Sequence, residues 1–183
     1  MRLMMRSLLA DRFRLAIHNE TREVPVLALV LAKPGKTGPH LVPHPDGAEC
    51  PTNLSPGYND ETVAGGFPVL CGGLLGQPPS EPGRMRVGAR NVTLGFVANA
   101  LSGGAGQGRP MLDQTGLGGT FDFTLEWTPE TGGPAPQGAD LQPESGGPAF
   151  AQAIEEQLEL KLKGSKGSVE VLVLDHVERP GEN

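Results

Sequence analysis

The alternation of apolar and polar residues from Thr120 to Trp127 is the feature that most constrains the fold. A period of two is typical of a strand that buries one face and leaves the other polar. The glycine-rich segment just before it predicts a tight turn. Residues 109–129 are therefore predicted to supply a turn and a core strand, whose inward side chains are Phe121, Phe123, Leu125 and Trp127.

Residues 3–32 are predicted to form a helix followed by a hairpin. Apolar residues recur at helical spacing over 3–13, and the period changes to two at Phe13. A polar hairpin turn is predicted at 19–22. The segment 24–32 is apolar on both faces, as expected of a strand that lies in the middle of its sheet.

Residues 85–127 predict a β-α-β-β unit, which ends in the alternating strand. Asn91 or Thr93 suits the N-cap of the helix, because short polar side chains accept hydrogen bonds from the free N–H groups of the first turn. The helix is predicted to bury an apolar face that includes Leu94 and Val97.

Residues 149–178 predict a helix and a second hairpin. Ser145 and Pro148 suit the start of the helix, with proline in its first turn, and the hairpin turn is predicted at 163–168. This unit aligns without a gap with the unit at 3–32. The alignment is compatible with an internal repeat and equally with convergence, since helix-plus-hairpin units are common.

The 27 glycines and 18 prolines are concentrated between the patterned segments. We therefore predict irregular loops at 34–83 and 128–148. A chain of 183 residues suits one domain, so residues 1–183 are expected to form a single domain. The predicted fold class is α+β, with a largely antiparallel sheet, helices on one face, and three helix-plus-hairpin units joined by Gly/Pro-rich loops.

Charge and hydropathy argue against nucleic-acid binding and against a transmembrane segment. The net charge is −6 and no stripe of basic residues occurs, which argues against nucleic-acid binding. No apolar run is long enough for a transmembrane segment. The N-terminus begins with basic residues, but Asp11 and Arg12 interrupt the apolar run of a signal peptide. An amphipathic helix is the better interpretation, and its start at the first residue suggests that the chain is truncated.

Cys50 and Cys71 lie in the same predicted loop. A disulfide between them is favoured by this context, and it would imply a location outside the cytoplasm. Such a cross-link would contribute roughly 3 kcal/mol, mainly by restricting the unfolded chain. The alternative is two unrelated free thiols.

Asp113, Thr115, Gly116 and Gly119 are the candidate binding residues, because they surround a turn beside the aromatic strand. A structural role, in which Asp113 caps backbone N–H groups and the glycines adopt positive φ, is the favoured interpretation. An enzyme of unrecognised class, with Asp113, Thr115 and His176 around one cleft, is the alternative. No nucleophile–base–oxyanion arrangement is evident, so a non-enzymatic role is preferred and no catalytic residue is assigned.

His40, His44, Asp46 and Cys50 could be interpreted as a metal cluster. A His-x-x-x-His pair serves a metal best on a helix, and the neighbouring prolines exclude a helix there. We therefore predict no metal and no cofactor. Asp175 and His176 are adjacent on a predicted strand and point to opposite faces, which excludes their pairing.

Three motifs occur in order along the chain. They are LLADRF at 8–13, DQTGLGGTFDFTLEW at 113–127 and DHVERPGEN at 175–183. Together they resemble the soil-associated TIGR03435 family, also called the DUF3738 domain, whose members are numerous in Acidobacteria. The resemblance implies a protein without an assigned activity, exported from the cytoplasm. It also implies a signal peptide and a further N-terminal segment before the first motif, so the chain is expected to be a truncated member of the family.

The β-α-β-β layout of 85–127 is also similar to the short N-terminal domains of secretins and TonB-dependent receptors, which are periplasmic interaction modules. This is a likeness of fold alone. The expected function is an extracytoplasmic binding or protein-interaction module, whose partner is an unknown protein or small ligand.

Overall fold

The computed structural model describes residues 2–51, 62–102, 108–129 and 147–179. Its mixed content of helices and strands confirms the α+β class. None of the helices in these ranges is long and apolar enough to cross a membrane. The elements in chain order are α1 (Arg2–Phe13), β1 (Ala16–Leu31), β2 (Leu41–Pro43), β3 (Leu74–Gln77), β4 (Met85–Val92), α2 (Leu94–Leu101), β5 (Met111–Asp113), β6 (Phe121–Trp127), α3 (Phe150–Leu158) and β7 (Leu160–His176).

The strands form two sheets, of orders β5-β1-β7 and β2-β6-β4-β3. β1 is central in the first sheet, as the apolar pattern of 24–32 predicts, and it pairs in parallel with β5, where Leu27 lies opposite Met111. In the second sheet every pairing is antiparallel. The prediction of a largely antiparallel sheet is therefore confirmed, with the strands divided between two sheets.

The chain separates into two compact units, one made of Met1–Pro25 and Lys166–Asn183 and the other of Val26–Ser165. The first unit contains α1, the beginning of β1 and the end of β7. The N–H of Glu178 donates to the carbonyl of Phe13 at 2.7 Å. This unit leaves several large apolar side chains exposed, namely Met4, Met5, Leu8, Leu172, Leu174 and Val177.

The two hairpins predicted at the ends of the chain are wrong. β1 runs through the expected turn at 19–22, and β7 runs through the expected turn at 163–168. The two strands are neighbours in one sheet, so each pairs with the other and neither folds back on itself. The polar residues of the first expected turn are exposed on β1, where Asn19 Nδ2 donates to Glu170 Oε1 at 2.5 Å. Cross-strand polar pairs of this kind stabilise an exposed strand.

The junctions between α1 and β1 and between α3 and β7 share one backbone conformation. Arg14 has a φ of 48° and Glu159 a φ of 52°. A positive φ is uncommon for residues other than glycine. Its occurrence at corresponding positions supports the alignment of the first and last segments as helix-plus-strand units.

The middle segment follows the predicted β-α-β-β order, with β4, α2, β5 and β6. Thr93 is the N-cap of α2, and its hydroxyl accepts the N–H of Phe96 at 3.2 Å. Asn91, the other cap candidate, lies in β4 with a φ of 52° at an irregularity between Ala89 and Val92. The buried side chains of α2 are Leu94, Val97, Ala98 and Leu101.

The described residues of the segment 34–83 include β2 and β3, so the prediction of an irregular loop over the whole segment is wrong. These strands occupy the two edges of the four-stranded sheet. Leu41 of β2 is fully buried opposite Phe123. Strands of 3 and 4 residues are too short to show a period, so the sequence pattern misses them.

Pro148 precedes α3 and does not lie in its first turn, since the N-cap of α3 is Ala149. Ser145, the other residue predicted at this start, lies outside the described residues, as does most of the loop at 128–148. Phe150 packs edge to face on Trp127, with 5.2 Å between the ring centroids. The inward side chains predicted for β6 are all buried in this core, which leaves the other face of β6 to its polar residues.

Candidate functional site

The four predicted binding residues lie together in one turn after β5. Asp113 Oδ1 accepts hydrogen bonds from the N–H and the hydroxyl of Thr115, at 2.9 and 2.8 Å. Thr115 Oγ1 in turn accepts the N–H of Leu117 at 3.2 Å. Gly116 and Gly119 have φ values of 73° and 88°, which glycine adopts without strain. These contacts are the ones expected from the structural interpretation of the turn.

The histidines of the first unit form exposed pairs. His176 Nε2 lies 2.8 Å from Glu178 Oε1, and His18 Nδ1 lies 2.8 Å from Asp175 Oδ2. Exposed pairs of this kind contribute little to stability. His176 is therefore engaged with Glu178 within its own unit.

The polar face of β6 carries a row of three residues, Asp122, Thr124 and Glu126. Because successive side chains of a strand point to opposite faces, all three share the face opposite the aromatic core. Asp122 and Thr124 are 4% and 2% exposed, whereas the side chain of Glu126 is 14% exposed. The Asp122 end of the row is therefore buried, and the Glu126 end is partly accessible to solvent.

Each member of this row has a side-chain partner from another part of the second unit. His40 and His44 each bond a different member of the row, so these two histidines do not form the metal cluster considered from the sequence. The pairs are His44 with Asp122 (Nδ1 to Oδ1, 2.7 Å), His40 with Thr124 (Nδ1 to Oγ1, 3.0 Å) and Arg84 with Glu126 (Nη1 to Oε1, 3.3 Å).

A cleft of about 300 Å³ opens at the Glu126 end of the row. Its walls come from β4, β6 and α3 and from the segments before β2 and β4. Apart from Pro148, the described residues that line it have polar or charged side chains, namely His40, Ser80, Arg84, Arg86, Thr124, Glu126 and Gln157.

Glu126 is the anion of the cleft. The N–H of Ser80 donates to Oε2 at 3.0 Å, and the Ser80 hydroxyl donates to Oε1. Burial by itself would raise the pKa of Glu126, but the hydrogen bonds from Ser80 and Arg84 outweigh it, so the pKa lies below its ordinary value of 4.5. The carboxylate is consequently ionised at neutral pH.

Arg84 and Arg86 bring two cations to the same cleft. Arg84 pairs with Glu126 and also with Glu81, whose Oε2 lies 2.7 Å from Nη2. The buried Nε of Arg84 has no hydrogen-bond partner within the described residues. Arg86 lies opposite Glu126 in the register of β4 and β6. The Arg86 side chain makes no hydrogen bond or ion pair with the described part of the chain.

The buried end of the row is a charge network around Asp122. In addition to His44, Asp122 Oδ1 accepts the N–H of Asn91 at 2.9 Å, and Arg90 Nε lies 3.7 Å from Oδ2. The irregularity in β4 turns Arg90 and Asn91 towards Asp122. A buried carboxylate with several donors is strongly held, because losing one partner would leave charge uncompensated.

The Cys50–Cys71 disulfide lies beside this network. His44 Nε2 is 3.8 Å from Cys50 Sγ, and Asn91 Nδ2 donates to the same sulfur at 3.4 Å. Among the described residues, His44, Cys50 and Cys71 form a group whose possible ligand atoms all lie within 4.8 Å of one another. His44 and Cys50 lie in one segment, and the disulfide brings Cys71 to them. The three possible ligands therefore come together without the helix on which a His-x-x-x-His pair best binds a metal.

The sequence pattern contains the polar row but gives no sign of its role. Asp122, Thr124 and Glu126 are the polar letters of the FDFTLEW motif, whose apolar letters explain the core. A useful signal is their position, since β6 lies between β2 and β4 inside a sheet, where polar side chains need partners. The partners themselves come from distant segments, and local patterning does not connect them to β6.

The fold and the site together define an α+β protein with a polar cleft on one face of a four-stranded sheet. The family described as "Protein of unknown function (DUF3738)" matches residues 1–177. The chain therefore belongs to the DUF3738 family, as its three motifs predict. No curated protein and no solved structure matches the chain.

Proposed function

We propose that this chain is an extracytoplasmic binding module whose cleft holds a small molecule with an anionic group. The observation that carries the proposal is Arg86, a cation that lines a cleft and has no ion-pair partner among the described residues. Guanidinium groups match carboxylate and phosphate oxygens with two parallel hydrogen bonds, which makes them effective ligands for such anions.

The size and lining of the cleft support a small polar ligand. Its volume of about 300 Å³ is at the lower end of the range for small-molecule sites. The ionised Glu126 repels an anion beside it, so the anionic group is expected at Arg86. A hydroxyl or ammonium group of the same ligand would then be placed towards Glu126.

Thermal unfolding with simple ligands tests this proposal. We expect inorganic phosphate or citrate, but not uncharged glycerol, to raise the melting temperature of the protein. A ligand present at a hundred times its Kd stabilises the folded state by about 2.7 kcal/mol, which such a measurement resolves easily. Isothermal titration calorimetry would then give the affinity and the number of sites.

The matched variants are Arg86→Gln and Arg109→Gln. Both remove one positive charge from the second unit, but Arg109 is exposed and is not among the residues that line the cleft. We expect Arg86→Gln to abolish stabilisation by the anion and Arg109→Gln to keep it. Equal effects of the two variants, or no stabilisation of the unmodified chain by phosphate or citrate, would show that the proposal is wrong.

The extracytoplasmic location rests on the disulfide and on the family resemblance. Disulfides persist in oxidising compartments and are rare in the cytoplasm. The finer assignment to the soil-associated, Acidobacteria-type group is proposed from the three motifs. Cell fractionation followed by mass spectrometry of alkylated thiols tests the location. Protein found in the cytoplasmic fraction, with Cys50 and Cys71 alkylated without reductant, would contradict it.

An enzyme with its site at Asp113 and Thr115 takes second place. Asp113 Oδ1 already accepts two hydrogen bonds from Thr115, so a role in catalysis would require the turn to give up its own contacts. The cleft beside Glu126 requires no such rearrangement.

A further inference from the structure

We propose that Cys50 and Cys71 are a redox couple, and that their reduced dithiol form binds a zinc ion together with His44. This site is separate from the cleft at Arg86 and does not depend on the ligand proposed there. The oxidised form holds the two sulfurs in a disulfide and leaves the zinc site closed.

The three donor groups lie close enough for small side-chain movements to bring them onto one cation once the disulfide is reduced. All of them fall within 4.8 Å of one another, and His44 Nε2 is 3.8 Å from Cys50 Sγ. In a tetrahedral zinc site, bond lengths of about 2.0–2.1 Å to nitrogen and about 2.3 Å to sulfur place these donors about 3.6 Å apart. The Cα atoms of the cysteines are 5.4 Å apart, so side-chain rotation is sufficient to separate the sulfurs after reduction.

His44 is oriented as a metal ligand would be. Its Nδ1 lies 2.7 Å from Asp122 Oδ1, which leaves Nε2 directed to the sulfurs. Histidines that bind metals commonly donate their other ring N–H to a carboxylate, which fixes the ring and strengthens the ligand. Asp122 is in turn held by the N–H of Asn91, so the ligand is fixed before any metal arrives.

The surroundings of Cys50 also favour a thiolate. Asn91 Nδ2 donates to its sulfur at 3.4 Å, and this contact can be kept when the sulfur carries a negative charge. The side chain of His44 is 8% exposed and Cys71 is 5% exposed, whereas Cys50 is half-buried. A reductant or a metal ion would therefore reach the site from the Cys50 side.

The chemistry balances with an added dithiol as the reductant. The dithiol transfers two electrons and two protons to the disulfide, becomes a disulfide itself, and leaves Cys50 and Cys71 as thiols. Zinc then binds the two thiolates and the neutral imidazole, and two protons are released to the solvent. A disulfide oxidant reverses the first step and expels the metal.

The donor set selects the class of metal. Two thiolates and an imidazole are soft or borderline ligands that suit Zn²⁺ and not Mg²⁺ or Ca²⁺, which prefer oxygen donors. The three ligands found among the described residues leave a fourth tetrahedral position for solvent or a further ligand.

The test is metal binding by the full chain in its oxidised and reduced forms. After anaerobic reduction with a dithiol and its removal, we expect one Zn²⁺ per chain in competition with a chromophoric chelator, and none with the oxidised protein. Co²⁺ added to the reduced protein should give a thiolate-to-cobalt charge-transfer band and the intense visible bands of tetrahedral cobalt.

Three variants separate this site from adventitious thiol binding. His44→Asn should weaken zinc binding at least tenfold and change the cobalt spectrum, and Asp122→Asn should weaken it by roughly 10- to 100-fold. His18→Asn, which removes an exposed histidine of the first unit, should leave the affinity unchanged. Circular dichroism of each variant establishes that it is folded.

The cobalt spectrum of the unmodified reduced chain keeps the test decisive even if a variant at the buried network does not fold. Absence of the charge-transfer band there would overturn the proposal. So would equal zinc binding by the oxidised protein, or a folded His44→Asn variant that binds zinc as tightly as the unmodified chain.

Discussion

The side-chain amide of Gln157 makes two hydrogen bonds with the backbone of Glu126. Its Nε2 donates to the carbonyl of Glu126 at 2.6 Å, and its Oε1 accepts the Glu126 N–H at 3.0 Å. The Gln157 side chain of α3 thus satisfies two backbone groups of β6, as a neighbouring strand would in a sheet. Because both residues line the cleft, the same contact holds its wall in place.

Replacing Gln157 with alanine should destabilise the protein by about 2 kcal/mol, since both backbone groups of Glu126 lose their partner in a half-buried position. Chemical denaturation monitored by the fluorescence of Trp127, the neighbour of Glu126, measures this loss.

Gln152→Ala is the matched control on the same helix. The side chain of Gln152 is exposed and bonds only Glu156 among the described residues, so its loss should change stability by less than about 0.5 kcal/mol. If both variants were equally stable, the bridge between α3 and β6 would contribute nothing measurable.

The depressed pKa of Glu126 predicts a specific pH dependence. A carboxylate whose folded pKa lies below its unfolded value contributes stability that is fully present above the unfolded value and is lost as the pH falls through the folded value. The stability difference between the unmodified chain and Glu126→Gln should therefore be constant from neutral pH down to about 4.5, and should shrink at lower pH.

The control for this titration is Glu49→Gln, which removes an exposed carboxylate of the same unit. Its stability should follow that of the unmodified chain over the whole pH range. A Glu126→Gln variant that follows it equally well would mean that Ser80 and Arg84 do not stabilise the ionised Glu126.

The parts of the fold that were predicted are those governed by local patterning. The 3.6-residue period of α2, its Thr93 cap and the alternation of β6 each depend on residues close in sequence, and all three are found in the structure. The two false hairpins have the opposite origin. Polar residues such as Asn19 resemble a turn until the partner strand β7, distant in sequence, supplies their hydrogen bonds.

The same distinction explains what was missed in the candidate sites. The Asp113 turn is local, so its internal contacts could be anticipated from Asp113, Thr115 and the glycines. The cleft joins residues from His40 to Gln157, and no pattern along the chain connects them. Glu126 lies on the face opposite the core, as its place in the alternation predicts, but the groups that stabilise its charge, Ser80 and Arg84, come from another segment of the chain.

Loss of the disulfide should lower stability by roughly 3 kcal/mol. The bond closes a loop between cysteines 21 residues apart, and removing it restores conformational freedom to the unfolded chain. Guanidinium denaturation of Cys50→Ala/Cys71→Ala with a metal chelator present measures the change. Under the same conditions the unmodified chain with reductant should resemble the double variant. A double variant as stable as the oxidised protein would contradict the expectation.

Variants of Asp113 distinguish between the structural and the ligand-binding interpretations of its turn. Asp113→Ala leaves the N–H and the hydroxyl of Thr115 without their acceptor, and Thr115 is nearly buried, so the expected cost is about 1–2 kcal/mol. Asp113→Asn keeps an acceptor oxygen at the same place and should cost less. Thermal and chemical unfolding of the two variants separate the outcomes. If alanine were tolerated without loss, the carboxylate would have no structural task, and a ligand for Asp113 would become the better explanation of its place in the turn.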